Sequence, residues 1–172
     1  MKKQYAFTLV ELIVTLAVLA ILLTVGAPMM SNMLESNRAS VRSVELRKAL
    51  VATQQSATDM NVAVSLCPIN GENDGCDASD PRDWSSGWLM FTDPDGAGTF
   101  DDGEAILHVF QSTEGPHTIA GAPDFIRYRP SGEINAPVTF SIEYPHCVNE
   151  QAREVSLSVT GRISVEATAC FL

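Results

Sequence analysis

The sequence opens on a long apolar stretch, and residues 7–30 read FTLVELIVTLAVLAILLTVGAPMM. One charged side chain, that of Glu11, lies among these 24 residues. As a helix rising about 1.5 Å per residue, the stretch would span about 36 Å, enough to cross a hydrocarbon core of about 30 Å. A carboxylate inside such a segment costs a few kcal/mol and normally has a partner. Because no basic residue follows within the stretch, we expect that partner to come from elsewhere.

Two plainer interpretations also account for the length of the stretch. In a secretory signal peptide, Lys2 and Lys3 would form the basic region, and a cut after Ala27 would follow the apolar region. Pro28 would then begin the mature chain, and Glu11 would lie between the basic and apolar regions. Neither feature is typical of a signal peptide. An ordinary membrane anchor explains the length but gives no reason for the carboxylate.

The segment A-F-T-L-V-E-L-I, residues 6–13, resembles the N-terminus of type IV pilins and type II secretion pseudopilins. The resemblance implies that prepilin peptidase cuts between Ala6 and Phe7 and that the new amine of Phe7 is methylated. Glu11 would then neutralise an N-terminal amine within the assembling filament, and Thr8 also matches the family motif. The family usually has Gly where this chain has Ala6, so we expect processing to be slower.

The helical pattern continues beyond the apolar stretch. Gly26 and Pro28 should bend the helix, because proline removes one backbone hydrogen bond and glycine loosens the same turn. From Ser31 to Thr58 the sequence is amphipathic. We expect one apolar stripe to pack on the following sheet, with Arg38, Arg42 and Glu45 on another flank. That stripe consists of Met30, Met33, Leu34, Val41, Val44 and Val51.

After Asp59 the apolar pattern changes to a period of two, which predicts half-buried antiparallel strands. Thr160-Gly161 between the last two strands indicates a tight hairpin. The predicted strands begin near Val62, Gly87, Ala105, Phe125, Val138, Val155 and Ile163. We therefore predict an α+β protein with a leader at 1–6, an assembly helix at 7–30, its amphipathic continuation at 31–58 and a β-rich head at 59–172.

Four cysteines and an exported N-terminus predict disulfides. Three connectivities are possible. Pairing Cys67 with Cys76 and Cys147 with Cys170 is favoured because both bonds close short loops and need no crossing. Zinc is the rival interpretation, but no C-x-x-C spacing occurs, and the three scattered histidines are expected to be structural.

Several later segments resemble the GspH/FimT branch of minor pilins and pseudopilins. The matching segments are Leu66-Cys67-Pro68 with Asn70-Gly71 and Cys76, W-S-S-G-W-L-M-F-T-D at 84–93, the strand and turn at 126–132, and the hairpin at 155–162. The resemblance implies a pilin-like fold and a single-pass inner-membrane protein with a periplasmic head, which joins the pilus fibre on assembly. Its partners would be minor and major pilins, met through the N-terminal helix, and the inner-membrane assembly platform. The expected role is in a priming or tip complex of the type IV pilus, and a type II secretion pseudopilin is the alternative.

An acidic loop, defined here as residues 93–104, has part of the pattern of a twelve-residue calcium loop. The matching residues are Asp93, Asp95, Gly98, Asp101 and Glu104. Ala97 occupies a position that should supply a ligand, and the flanking segments look like strands. A hairpin with solvated acids is therefore the alternative. We expect no obligatory cofactor, and calcium is the one candidate ligand for this loop. A soluble secreted calcium-binding β-domain is one alternative for the whole protein.

Some relatives in the branch take up DNA through basic residues near a C-terminal G-R-x-R element. Here residues 161–164 read G-R-I-S, which retains Arg162 alone, and Arg153 is a candidate neighbour if it lies on the paired strand. A DNA-uptake receptor pilin is therefore another alternative for the whole protein, although the net charge of −10 argues against general binding to a phosphate backbone. The sequence contains no G-x-S-x-G, H-E-x-x-H or phosphate-binding loop, so it predicts no enzymatic activity.

Overall fold

The computed structural model describes residues 9–79, 82–112 and 115–171, with the side chains of these residues except 25–29, 31 and 32. The predicted processing site between Ala6 and Phe7 lies outside the described residues, and so does the motif residue Thr8. The chain divides into two compact units, one ending at Leu34 and the other beginning at Glu35.

A single helix, α1, runs from Leu9 to Met60 and is 52 residues long. It ends where Asn61 adopts a left-handed conformation with φ of 51°, which is a common way for a helix to stop. The backbone is helical through Gly26 and Pro28, and the predicted bend at these residues stays a prediction. Within the described residues, no helix is both long and apolar enough to cross a membrane.

Eight strands follow in the part of the chain that the structure describes. They are β1 (Val64–Pro68), β2 (Gly87–Thr92), β3 (Ile106–Gln111), β4 (Thr118–Ala120), β5 (Ile126–Tyr128), β6 (Val138–Glu143), β7 (Ala152–Leu157) and β8 (Ile163–Thr168). They form two four-stranded antiparallel sheets, ordered β3-β2-β1-β5 in the first and β4-β6-β7-β8 in the second. The predicted α+β arrangement, one long helix with a β-rich head, is confirmed.

The first sheet buries side chains on both faces. Val64 and Leu66 of β1 belong to the main core, together with residues of α1 and the second sheet. Cys67 of β1 faces the other way and packs with Leu89 and Phe91 of β2 in a smaller cluster. The prediction that β1 is half-buried is therefore wrong: β1 is a central strand, and all five of its residues are buried.

The other strands lie close to where the alternating pattern predicts them, and β4 is the exception. It was missed because its three residues are too few to show a periodic pattern. The β7–β8 hairpin is confirmed, with a connection of five residues in which the Gly161 N–H donates to the Ser158 carbonyl at 2.8 Å.

The second half of α1 packs on the head with a face opposite to the predicted one. At 100° per residue, the centre of the buried positions lies roughly 180° around the helix from the centre of the predicted stripe. The buried positions are Ala39, Arg42, Ser43, Leu46, Ala49, Leu50, Thr53 and Ala57. In the predicted stripe, Met33 is 76% exposed and Val41 and Val44 are 44% and 43% exposed. The prediction that this stripe packs on the sheet is therefore wrong.

Candidate functional site

The exposed apolar surface of α1 is the first candidate site. Each of the two units exposes large apolar side chains of its own on this helix, and every one of those named here is at least 43% exposed. They are Leu9, Val10, Leu12, Ile13, Val14, Leu16, Val18, Leu19, Ile21, Leu22, Leu23, Met30, Met33, Leu34, Val41 and Val44. Monomeric soluble proteins rarely expose apolar patches of this kind, which mark sites of protein or membrane interaction.

Glu11 lies in the first turn of α1 as the structure describes it, and its side chain is exposed among these apolar residues. Its predicted pairing with an amine requires a second chain, so the structure of one chain leaves this as a prediction.

Both predicted disulfides are confirmed. Cys67 pairs with Cys76, nine residues on, and Cys147 pairs with Cys170, 23 residues on. The first bond lies in the small cluster on the outer face of the first sheet, next to Phe100 of the acidic loop. The second bond fastens the C-terminal segment to the loop between β6 and β7.

Within the acidic loop, Asp93 is fully buried and already has several partners. Its carboxylate accepts hydrogen bonds from the Ser65 hydroxyl and from the Gly96 N–H, the latter at 2.7 Å. The Arg127 guanidinium donates to the Asp93 carbonyl at 3.0 Å and lies 3.5 Å from the carboxylate. Asp93 therefore holds the loop to β1 and β5 whether or not it contacts a cation.

The structure brings together three of the four predicted acidic ligands. Asp93, Asp95 and Glu104 each offer a carboxylate oxygen, and these oxygens lie within 4.8 Å of one another. Asp101 acts differently, because its N–H donates to Glu104 Oε2 at 3.0 Å and its carboxylate accepts from Thr99. The cluster is compact enough for one small cation.

The electrostatics of this cluster differ between its members. A hydrogen bond from the Ala97 N–H lowers the pKa of Asp95. Burial raises the pKa of Glu104, and the negative charges of Asp93, Asp95 and Asp101 raise it further. Glu104 Oε1 is buried and has no hydrogen-bond partner among the described residues. A cation would stabilise the charged form of this carboxylate.

The two arginines considered for DNA contact are not brought together. Arg153 lies opposite Ala167, whereas Arg162 immediately precedes Ile163, the residue paired with Leu157. The two therefore lie at opposite ends of the β7–β8 hairpin. Arg153 also turns back to α1, where it donates to the Ser36 hydroxyl at 3.1 Å. No observation favours a DNA site, and that role stays a prediction.

A buried polar network surrounds Arg42 and was not predicted from the sequence. This residue is 1% exposed, and its guanidinium lies 5.0 Å from the Trp88 ring centroid. It donates to His117 Nε2 at 2.9 Å, to Glu45 at 2.7 Å and to the Ser85 carbonyl at 2.9 Å. The Ser112 hydroxyl is a further partner.

This network joins α1 to both sheets, because Arg42 lies on α1, Ser112 follows β3 of the first sheet and His117 precedes β4 of the second. Apart from Glu45, its partners are 43 to 75 residues from Arg42, so sequence spacing carried no signal of them.

The long N-terminal helix and the two antiparallel sheets define a protein of the pilin-like class. Residues 44–161 match the family model described as type II transport protein GspH. Residues 1–27 match the prokaryotic N-terminal methylation motif. The chain belongs to the GspH family of pilins and pseudopilins, as its sequence motifs predict.

Two solved structures share the fold. Both are crystal structures of the type IV minor pilin FimU of Pseudomonas aeruginosa, in two crystal forms. The match to the first structure covers 78% of this chain and 96% of the FimU chain, with a TM-score of 0.61. The second covers 77% and 99%, with a TM-score of 0.57, and each is 19% identical to this chain. No curated protein sequence matches the chain.

Proteins of this family are structural pilins that act by association with other pilins and with assembly machinery.

Proposed function

We propose that the chain is a minor pilin that takes part in initiating and assembling the type IV pilus, within a priming or tip complex. Prepilin peptidase would cut before Phe7, and residues 7–30 would hold the chain in the inner membrane with its head in the periplasm. On assembly, Glu11 would pair with the N-terminal amine of another subunit, and the chain would pass into the fibre.

The exposed apolar surface of α1 is the observation that carries this proposal. On the second half of the helix, the face that contacts the head and the face with Val41 and Val44 lie on opposite sides. The head can therefore stay packed while neighbouring pilins cover the exposed face. Burial of apolar area contributes about 25 cal/mol per Å² removed from water, which favours such assembly.

A type II secretion pseudopilin is the alternative within the same family. The family model carries a type II transport description, whereas both similar structures are of a type IV minor pilin. Deletion of the gene distinguishes the two roles. Loss of surface pili with normal secretion supports the pilus role, and loss of secretion with normal pili assigns the chain to the secretion machine.

The N-terminal mass of the mature chain, measured from a membrane fraction under non-reducing conditions, tests the proposed processing. We expect a chain that begins at methylated Phe7 and contains both disulfides. An Ala6→Gly variant is the matched control and should be processed faster, because it restores the residue usual in the family. A soluble chain that begins at Pro28 would contradict the proposal and indicate a signal peptide.

We further propose that the acidic loop binds a divalent cation such as calcium. The observation that favours this site is the buried Glu104 Oε1, which lacks a hydrogen-bond partner among the described residues and lies beside Asp93 and Asp95. The nearby Arg127 guanidinium offsets part of the negative charge. Because Ca²⁺ usually takes six to eight oxygen ligands, carbonyl groups or water would complete the shell.

Calcium should raise the melting temperature of the full chain, and Asp95→Asn should abolish that increase. Asp95 is the residue to change because Asp93→Ala would also remove the structural hydrogen bonds to Ser65 and Gly96. Asp102→Asn is the matched control, since it removes one charge from the same loop outside the cluster. If calcium raised the melting temperature equally in the wild type and in Asp95→Asn, a specific site would be ruled out.

A further inference from the structure

The contact between Arg42 and His117 joins α1 to the head, and it depends on the protonation state of the histidine. We propose that this contact is a proton-sensitive latch, which holds the second half of α1 on the head at neutral pH and weakens on acidification. The latch does not depend on whether the chain acts in a pilus or in a secretion machine.

The hydrogen bonds of His117 define its protonation state. Arg42 Nε donates to His117 Nε2 at 2.9 Å, so Nε2 must carry a lone pair. The hydrogen of the neutral ring is then on Nδ1, which donates to the Gly115 carbonyl at 3.0 Å. A second proton on Nε2 would place two N–H groups, and two positive charges, against each other. The contact therefore requires neutral imidazole.

The charged and titratable groups around His117 come from three elements. Arg42 and Glu45 face it from α1, Asp83 from the segment before β2, and Tyr144 follows β6. The Tyr144 ring is stacked on the imidazole, with centroids 5.3 Å apart.

Burial lowers the pKa of His117 below its usual value, and the charge of Arg42 lowers it further. The hydrogen bond to Gly115 and the charges of Asp83 and Glu45 act in the opposite direction without reversing it. The imidazole is thus neutral near pH 7.

Protons from solvent can reach the latch without unfolding of the head. His117 is half-buried and lines a surface groove of about 490 Å³, together with Ser85, Ser86 and Ser112. The same arginine donates to Ser85 and Ser112. Loss of the histidine contact would therefore disturb bonds that connect α1 to the segments after β3 and before β2.

The direction of the pH dependence follows from the lowered pKa. Between the folded pKa and the unfolded value of about 6.5, the unfolded chain binds more protons than the folded chain. The contribution of neutral His117 to the stability of the folded chain is complete above about pH 6.5. It is lost as the pH falls through the pKa of His117 in the folded chain. One such group changes the folding equilibrium constant by at most about tenfold per pH unit.

Denaturant unfolding of the full chain in detergent micelles, between about pH 7.5 and about pH 5, tests the latch. Tryptophan fluorescence is a suitable signal because both tryptophans of the chain, Trp84 and Trp88, are buried in the head. A His117→Gln variant supplies an amide oxygen that accepts from Arg42 at any pH. We expect it to lose the part of the pH dependence due to His117. The exposed His108 provides the control, and His108→Gln should follow the wild type.

The pKa of His117, measured by NMR in the wild-type chain, gives a second readout that needs no stability measurement. A value below about 6.5, with a shift of the Arg42 Nε resonance at the same midpoint, supports the latch even if His117→Gln fails to fold. A value at or above 6.5 would overturn it. Parallel pH curves for the wild type and His117→Gln would overturn it as well.

Discussion

An Arg42→Met variant is expected to lower the free energy of unfolding by about 2–4 kcal/mol, because it removes every hydrogen bond of a fully buried guanidinium. Methionine fills much of the same volume, so the loss comes from the polar groups rather than from a cavity. The Ser85 carbonyl and His117 Nε2 would lose their donor. A hydrogen bond from a charged donor contributes roughly 1.5–3 kcal/mol, and water in the adjoining groove can replace only part of that for the two half-buried acceptors.

Chemical unfolding followed by tryptophan fluorescence measures this loss, and Arg38→Met is the matched control. Arg38 is exposed on the same helix, and substitutions at such positions usually change stability by about 0.5 kcal/mol or less. Equal stability of the two variants would mean that the buried network does not hold α1 to the head.

A Gly161→Ala variant is also expected to be destabilised by about 2–4 kcal/mol, from two independent causes. Gly161 has a φ of +79°, which costs a residue with a Cβ atom roughly 1–2 kcal/mol. An added Cβ would also lie 2.5 Å from the Gly132 carbonyl and closer still to Gln54 Nε2. Gln54 is on α1 and donates to that same carbonyl at 2.9 Å, so the clash would push the β7–β8 turn away from the helix.

Two other glycines separate these causes in the same unfolding experiment. Gly103 has a φ of +99° with nothing within 4 Å of an added Cβ, so Gly103→Ala should show the conformational cost alone. Gly71 also faces open space, and no left-handed φ is found there, so Gly71→Ala should be nearly neutral. Adding Gln54→Ala to Gly161→Ala should relieve the closest clash. If Gly161→Ala were no worse than Gly103→Ala, the packing argument would fail.

The geometry at Gly161 gives a structural reason for the first residue of the G-R segment. From the sequence, residues 161–164 could be interpreted as the remnant of a DNA-binding element. The structure shows that Gly161 lets the β7–β8 turn approach Gln54 and Gly132 closely. This explains the glycine without reference to any ligand.

Elements with a strong local signal could be predicted from the sequence. The alternating patterns located most strands, because a period of two shows which residues share a face of a sheet. The short-loop argument gave both disulfides, Cys67–Cys76 and Cys147–Cys170. The N-terminal motif and the later segments identified the family.

The acidic loop could be predicted only in part. Spacing alone suggested four acidic ligands, and the fold brings Asp93, Asp95 and Glu104 together, whereas the Asp101 carboxylate accepts a hydrogen bond from Thr99. The buried state of Asp93 depends on Ser65, a residue 28 positions away, and could not be inferred from the loop.

The sequence by itself determined that this chain has a long N-terminal helix, a β-rich disulfide-bonded head and a pilin N-terminus, because these depend on local patterns and motifs. Only the tertiary structure decided which face of α1 meets the head. The predicted stripe is largely exposed, and a face with Leu46, Leu50, several small residues and Arg42 is buried instead. The small residues allow close packing, and the guanidinium is satisfied by groups from distant segments. Helical periodicity shows that a stripe will be covered, but it cannot show whether the head or another molecule will cover it.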